Sequence, residues 1–184
     1  VSAFFSRGVD STEIFSKLKI AESTGYKKHL NTHDVIRIDF SRMPRNCNSY
    51  DKYIERIERI LIQDLMEAYP KADIQEEDAV WDSLDLVYER YGCQRFIFVF
   101  DEWDCIFHKD FITDEDKKKY ISFLSSLLKD KAYVLLSYMT GILPVKKYGT
   151  HSALNMFDEF SMIDPGPLAS YVGFTEEEVK MLCQ

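Results

Sequence analysis

The stretch Arg95-Phe96-Ile97-Phe98-Val99-Phe100 constrains the fold more than any other part of the chain. Five apolar residues follow one another without alternation, and two acidic residues, Asp101 and Glu102, then end the run. A strand with one wet face alternates apolar and polar side chains. An unbroken aromatic and branched run therefore predicts a strand covered on both faces, as in a parallel sheet. Parallel neighbours need crossovers of a dozen residues or more, usually helical, so helices are expected on both sides of this run in sequence.

The flanking sequence supplies them. Asp34-Val35-Ile36-Arg37-Ile38-Asp39-Phe40 is rich in β-branched residues, lies between Asn31 and Pro44, and predicts a strand. From Ser49 to Tyr69 the residues Ile54, Ile57, Leu61 and Leu65 recur at intervals of three and four until Pro70, which is the pattern of an amphipathic helix. A second such pattern, Trp81, Leu84, Tyr88 and Tyr91, begins near Glu76 and stops at Gly92, a residue suited to the position just past a helix end. Thr113 predicts the cap of a helix reaching towards Lys131, with Tyr120, Leu124, Leu127 and Leu128 inward. Ala132 to Leu136 reads as a third buried strand and Phe157 to Ile163 as a fourth.

Shorter signals surround this framework. Val1 to Arg7 reads as the last turns of a helix closed by Gly8, and Asp10-Ser11-Thr12-Glu13 caps a short helix behind it. Pro165-Gly166-Pro167 marks a break, after which Thr175 and Glu178 form a capping box that opens another helix. Strands alternating with helices give an α/β fold of βαβ units, with a mostly parallel sheet and right-handed crossovers. At 184 residues and 46% hydrophobic, the chain suits one sizeable core and hence one domain.

Composition removes several function classes. A formal charge of −8 argues against the chain as a duplex-binding surface, because phosphate contacts need concentrated Lys and Arg. The apolar runs fall far short of the roughly 18 residues of a membrane span, and no leader precedes them. Cys47, Cys93, Cys105 and Cys183 form no C-x-x-C pair, which points away from a thiolate zinc site and towards a reduced cytoplasm. His108, four residues after Asp104, reads as a surface pair, and His29 and His33 flank Asn31 in a loop. Lys117 to Lys119, Lys129 and Lys131 read as a solvated helix face, Lys146 and Lys147 as loop lysines. Tyr50, Tyr53, Tyr88 and Tyr91 lie on apolar helical stripes, as core or rim aromatics.

The chemistry concentrates at the end of the central run. In a parallel sheet, ligands bind in the crevice outside the carboxyl ends of the strands, which is where Asp101 and Glu102 fall. A strand-end Asp suits hydrated Mg²⁺, which takes oxygen ligands and keeps several waters. The adjacent Glu can orient or deprotonate a water that attacks a γ-phosphate. The next strand runs into Ser137-Tyr138-Met139-Thr140-Gly141, which sets the Thr140 hydroxyl at a neighbouring strand end.

Three ordered segments carry a resemblance over essentially the whole chain: Phe98-Val99-Phe100-Asp101-Glu102-Trp103-Asp104, Tyr138-Met139-Thr140-Gly141-Ile142-Leu143-Pro144-Val145-Lys146-Lys147-Tyr148-Gly149, and Gly173-Phe174-Thr175-Glu176-Glu177-Glu178-Val179. Together they resemble the bacterial AAA-ATPase-like family of P-loop ATPases, whose members often carry an appended nuclease-like domain of the PD-(D/E)XK type. The resemblance implies a P-loop NTPase-like three-layer sandwich, with ATP and Mg²⁺ as its ligands. On it, Asp101 corresponds to the Walker B aspartate, which binds the metal-bound nucleotide, Glu102 to the catalytic glutamate and Thr140 to the sensor 1 residue.

One departure is plain: no G-x-x-x-x-G-K-[ST] phosphate loop occurs anywhere in the sequence. The expectation is a truncated ATPase core over residues 1–172, lacking its first strand and phosphate loop, followed at 173–184 by the start of a helical lid. Such a chain is expected to be inactive by itself, within a parent that binds and hydrolyses ATP, and to expose a sheet edge open to self-association. Nucleic acid would be contacted only through an appended domain. The rival expectation is a non-catalytic interaction or regulatory scaffold on a degenerate P-loop fold.

Overall fold

A computed structural model of the chain describes residues 1–145, 154–161, 163–169 and 174–183. Its centre is a parallel sheet of β1 (Asp34–Asp39), β2 (Phe96–Asp101) and β3 (Val134–Met139), in that spatial order. Ile36 and Ile38 stand beside Phe98 and Phe100, so these side chains share one face with Phe96. The alternate residues Val35, Arg37 and Asp39 share the other face with Ile97, Val99 and Asp101.

Three long helices cover the first face. They are α4 (Tyr50–Ala68), α5 (Val80–Arg90) and α6 (Asp114–Leu128), and their buried residues join Phe96, Phe98 and Phe100 in one hydrophobic cluster. On α4 the buried positions are Tyr50, Tyr53, Ile54, Leu61, Ile62 and Leu65, a single stripe. Each such side chain contributes roughly 1.5–3 kcal/mol on transfer from water, as an upper bound. The helix begins where Ser49 accepts from the Lys52 N–H, and α6 where Thr113 and Asp116 close a full capping box. Gly92, with φ 67°, follows the end of α5 in the left-handed conformation expected of it.

Both faces of β2 are covered, as its apolar run requires: Phe96 to Phe100 are all buried. The third strand departs from expectation. It starts and ends later than predicted, and it is an edge strand with Leu135, Leu136 and Tyr138 each about two-fifths exposed. A bulge between Phe96 and Ile97 shifts its register, so Leu136 and Tyr138 lie beside Ile97 and Val99. The described part of Phe157 to Ile163 carries no strand.

The amino-terminal region holds α1 (Ser2–Phe5), α2 (Thr12–Phe15) and α3 (Tyr26–His29), and α7 (Glu176–Leu182) follows the Thr175 capping box. The first helix ends at an extended Ser6 and not at Gly8. Ser6 then bridges His33 in parallel, and Asn31, at φ 54°, donates to the carbonyls of Ala3 and Ser6. This clasp fastens the first segment to the start of β1, where Arg7 meets Asp34 at 2.8 Å.

Candidate functional site

The ends of the three strands stand in register. Asp39 pairs with Asp101, and Thr140 follows Met139, the partner of Phe100, so Asp39, Asp101 and Thr140 form a row across the carboxyl edge. Thr140 Oγ1 donates to Asp101 Oδ1 at 2.5 Å. Its backbone is stitched to β2 in both directions: Thr140 N donates to Phe100 O at 2.9 Å, and Trp103 N donates to Thr140 O at 3.1 Å. The other Asp101 oxygen has Arg37 Nη2 at 3.9 Å, an ionic neighbour beyond hydrogen-bond range.

Buried tyrosines fix the height of this edge. Tyr53 on α4 donates to Phe40 O at 2.6 Å, directly after Asp39, and Tyr120 on α6 donates to Trp103 O at 2.7 Å, directly after Glu102. Burial pushes both phenols far above their ordinary range, so each remains a donor at every physiological pH. The helical layer thus holds the turns that carry the carboxyl groups.

The acidic residues that end the central strand have different environments. Asp101 is half-buried and bonded to Thr140. Glu102 is exposed and adopts φ 54°, a left-handed conformation that L side chains other than Asn and Asp rarely take. Asp104, by contrast, is 1% exposed, which corrects the surface pair expected of it with His108: only the histidine lies at the surface. It accepts from Ile142 N at 3.2 Å through both oxygens and from Leu143 N at 2.8 Å. His108 approaches it at 3.8 Å, and its own side chain is largely exposed.

Asp39 was not anticipated. Its Oδ1 accepts from Ser41 Oγ at 2.6 Å and Ser41 N at 3.1 Å, and its Oδ2 from Arg42 Nε at 3.0 Å. The Ser41 hydroxyl, with help from the Ser41 amide and Arg42, holds this carboxyl below the ordinary aspartate range. The available signal was an Asp closing a β-branched strand, the same arrangement that marked Asp101.

The donor set is all oxygen: one half-buried carboxylate with Asp39 and the Thr140 hydroxyl beside it. That chemistry fits a Mg²⁺ ion that keeps most of its water. No group of three or more His, Cys, Asp or Glu suited to a metal occurs among the described residues, so an all-protein cage is not what they form. Lys146 and Lys147 lie outside the described residues.

The family model described as predicted AAA-ATPase matches residues 1–150. The chain belongs to the AAA-ATPase-like family. The matched span takes in all three strands and the whole Asp39, Asp101 and Thr140 row of this family member. No curated protein and no solved structure matches it. Among the described residues, no helix of this AAA-ATPase-like chain is long and apolar enough to cross a membrane.

The remaining sequence candidates fall elsewhere. His29 Nδ1 and His33 Nε2 lie 3.0 Å apart at the amino-terminal clasp, with the rings stacked at 5.2 Å. Tyr50 and Tyr53 are core, and Tyr88 and Tyr91 are half-buried at its rim.

Proposed function

We propose that this chain forms the metal- and water-handling part of an ATP-hydrolysing site, with Asp101, Glu102 and Thr140 as its working residues. The reading is supported by one juxtaposition above others: Thr140 and Asp101, from different strands, joined at 2.5 Å at the carboxyl end of a parallel sheet, with Glu102 next in line. The left-handed backbone at Glu102 adds to it, since sparsely populated conformations concentrate at functional sites.

Asp101 would hold Mg²⁺ through its half-exposed carboxylate, and the ion supplies charge neutralisation to the β- and γ-phosphate oxygens when bound. Glu102 accepts a hydrogen bond from the attacking water and orients it, taking its proton as the bond to the γ-phosphorus forms and the bond from that phosphorus to the β–γ bridging oxygen breaks, with ADP as the leaving group. Thr140 places a hydroxyl within reach of that water or of a γ-oxygen. Asp39, held ionised by Ser41 and Arg42, keeps negative charge beside Asp101 and strengthens the row's attraction for a cation. The chain contains no glycine-rich loop with Lys and Ser/Thr to cradle the phosphates, so those donors belong to another segment.

The test joins a Gly-Lys-Thr/Ser loop and its strand ahead of Val1 and measures ATP turnover. Glu102→Gln, which keeps size and removes the base, is expected to cut kcat by about 10²-fold or more with little change in KM. Undiminished turnover in that variant would remove Glu102 from the role.

A second reading, a non-catalytic docking scaffold, draws on the half-exposed apolar edge formed by Leu135, Leu136 and Tyr138. Measurable turnover by the loop-bearing polypeptide, with Asp101, Glu102 and Thr140 intact, excludes it.

A further inference from the structure

Among the described residues, Asp104 is the one carboxyl group near the site that is buried and that the proposed chemistry does not use. It lies in the turn after β2, yet all its backbone partners lie in the loop after β3. Buried carboxylates persist only where donors surround them, and here the donors are two successive backbone N–H groups, Ile142 and Leu143. The Ile142 side chain is 81% exposed, so nothing else about that residue demands order.

Gly141 completes the arrangement. A Cβ built on it would fall 2.5 Å from Asp104 Oδ1 and 2.6 Å from Trp103 Nε1, so the loop rests directly on the Trp103-Asp104 turn. The residue just before Gly141 is Thr140. Its hydroxyl meets Asp101 on one side, and its carbonyl receives Trp103 N on the other. Thr140 is therefore held between β2 and a loop whose next anchor is Asp104.

We infer that Asp104 is a positioning residue: by clamping the Ile142 and Leu143 amides, it holds Thr140 Oγ1 against Asp101 in the geometry needed for turnover. The inference rests on the hydrolytic reading for its consequence but not for its geometry. Without the clamp, the Gly141-Ile142-Leu143 loop loses its only side-chain acceptor among the described residues, and Thr140 gains freedom to leave Asp101. Substrate binding does not touch Asp104, so the loss falls on the chemical step.

Two measurements test this. In the unaltered chain, amide hydrogen exchange should show Ile142 and Leu143 protected at least tenfold relative to an open loop, and Asp104→Ala, which removes both acceptor oxygens, should abolish that protection while Phe96 to Phe100 stay slow. In the polypeptide that carries a phosphate loop, Asp104→Ala should lower kcat at least tenfold at constant KM, and should add little further loss to Thr140→Val because both act through one hydroxyl. Unprotected Ile142 and Leu143 amides in the unaltered chain would overturn the inference even if the variant failed to fold. So would a kcat loss fully multiplicative with that of Thr140→Val. If the loop-bearing polypeptide with Asp104 intact hydrolyses no ATP, the hydrolytic reading and the kinetic role of Asp104 fall together, and the exchange result still decides whether the clamp exists.

Discussion

Gly141→Ala offers the sharpest check on how the site is built, because its cost follows from space and not from backbone conformation. The added methyl would overlap Trp103 Cδ1 and Nε1 and Asp104 Oδ1, roughly 1 Å inside the ordinary contact distance of about 3.5 Å. Trp103 and Asp104 are 2% and 1% exposed, so neither side chain has solvent to swing into. The loop must lift instead, which strains Trp103 N to Thr140 O and the two amides on Asp104. Overpacking of this kind costs about 3 kcal/mol. For a chain of this length each kcal/mol moves Tm by about 2–4 °C, so the variant should melt about 6–12 °C lower in calorimetry. Gly92→Ala serves as the control: its Cβ meets nothing within 4 Å, and only the positive φ of 67° resists it, at about 1 kcal/mol. A Gly141→Ala melting point within about 2 °C of wild type, or no lower than that of Gly92→Ala, would refute the contact as drawn.

Further outcomes follow from the backbone and from the histidine pair. Glu102→Gly relieves a left-handed position of φ 54° and should leave the chain as stable as wild type, or stabler by up to about 1 kcal/mol in urea unfolding, while abolishing turnover in the loop-bearing polypeptide; clear destabilisation would deny the strain. Burial pushes the His33 imidazole below its ordinary value of 6.5, and His29, Arg7 and Lys28 add to the shift against the opposing Asp34. The unfolded chain then takes up its proton first, so stability should fall as pH drops through about 6.5 and level off below the folded value. His33→Gln should flatten that limb between pH 8 and 5.5 in denaturant midpoints, and an unchanged slope would rule His33 out as its source.

Much of the fold was legible because burial leaves a pattern. The five apolar residues of β2 predicted a doubly covered strand, and Ser49, Thr113 and Gly92 marked helix ends by the acceptors or dihedrals they supply. The placement of Asp101 and Thr140 at neighbouring strand ends followed from strand polarity alone. The third strand was harder, since an apolar run reports hydrophobicity and not which edge of a sheet it occupies; Leu135 and Leu136 read as core and lie half in the open. Asp104 was misjudged for a different reason. Its donors lie 38 and 39 residues away, and no local pattern announces a partner that arrives with the next strand. Asp39 was overlooked because its significance comes only from register, which sets it beside Asp101.

The one-directional order of the strands has a further consequence. Each crossover steps to the same side, so the three long helices share a face, and Asp39, Asp101 and Thr140 look out over the other one, past Val99 and Tyr138. Val99 is buried on that flank, and the part left open lies at Leu136 and Tyr138, next to Thr140; whatever body comes to rest there becomes at the same time a wall of the acidic row. Sealing the sheet and shaping the doorway to its chemistry are thus a single event.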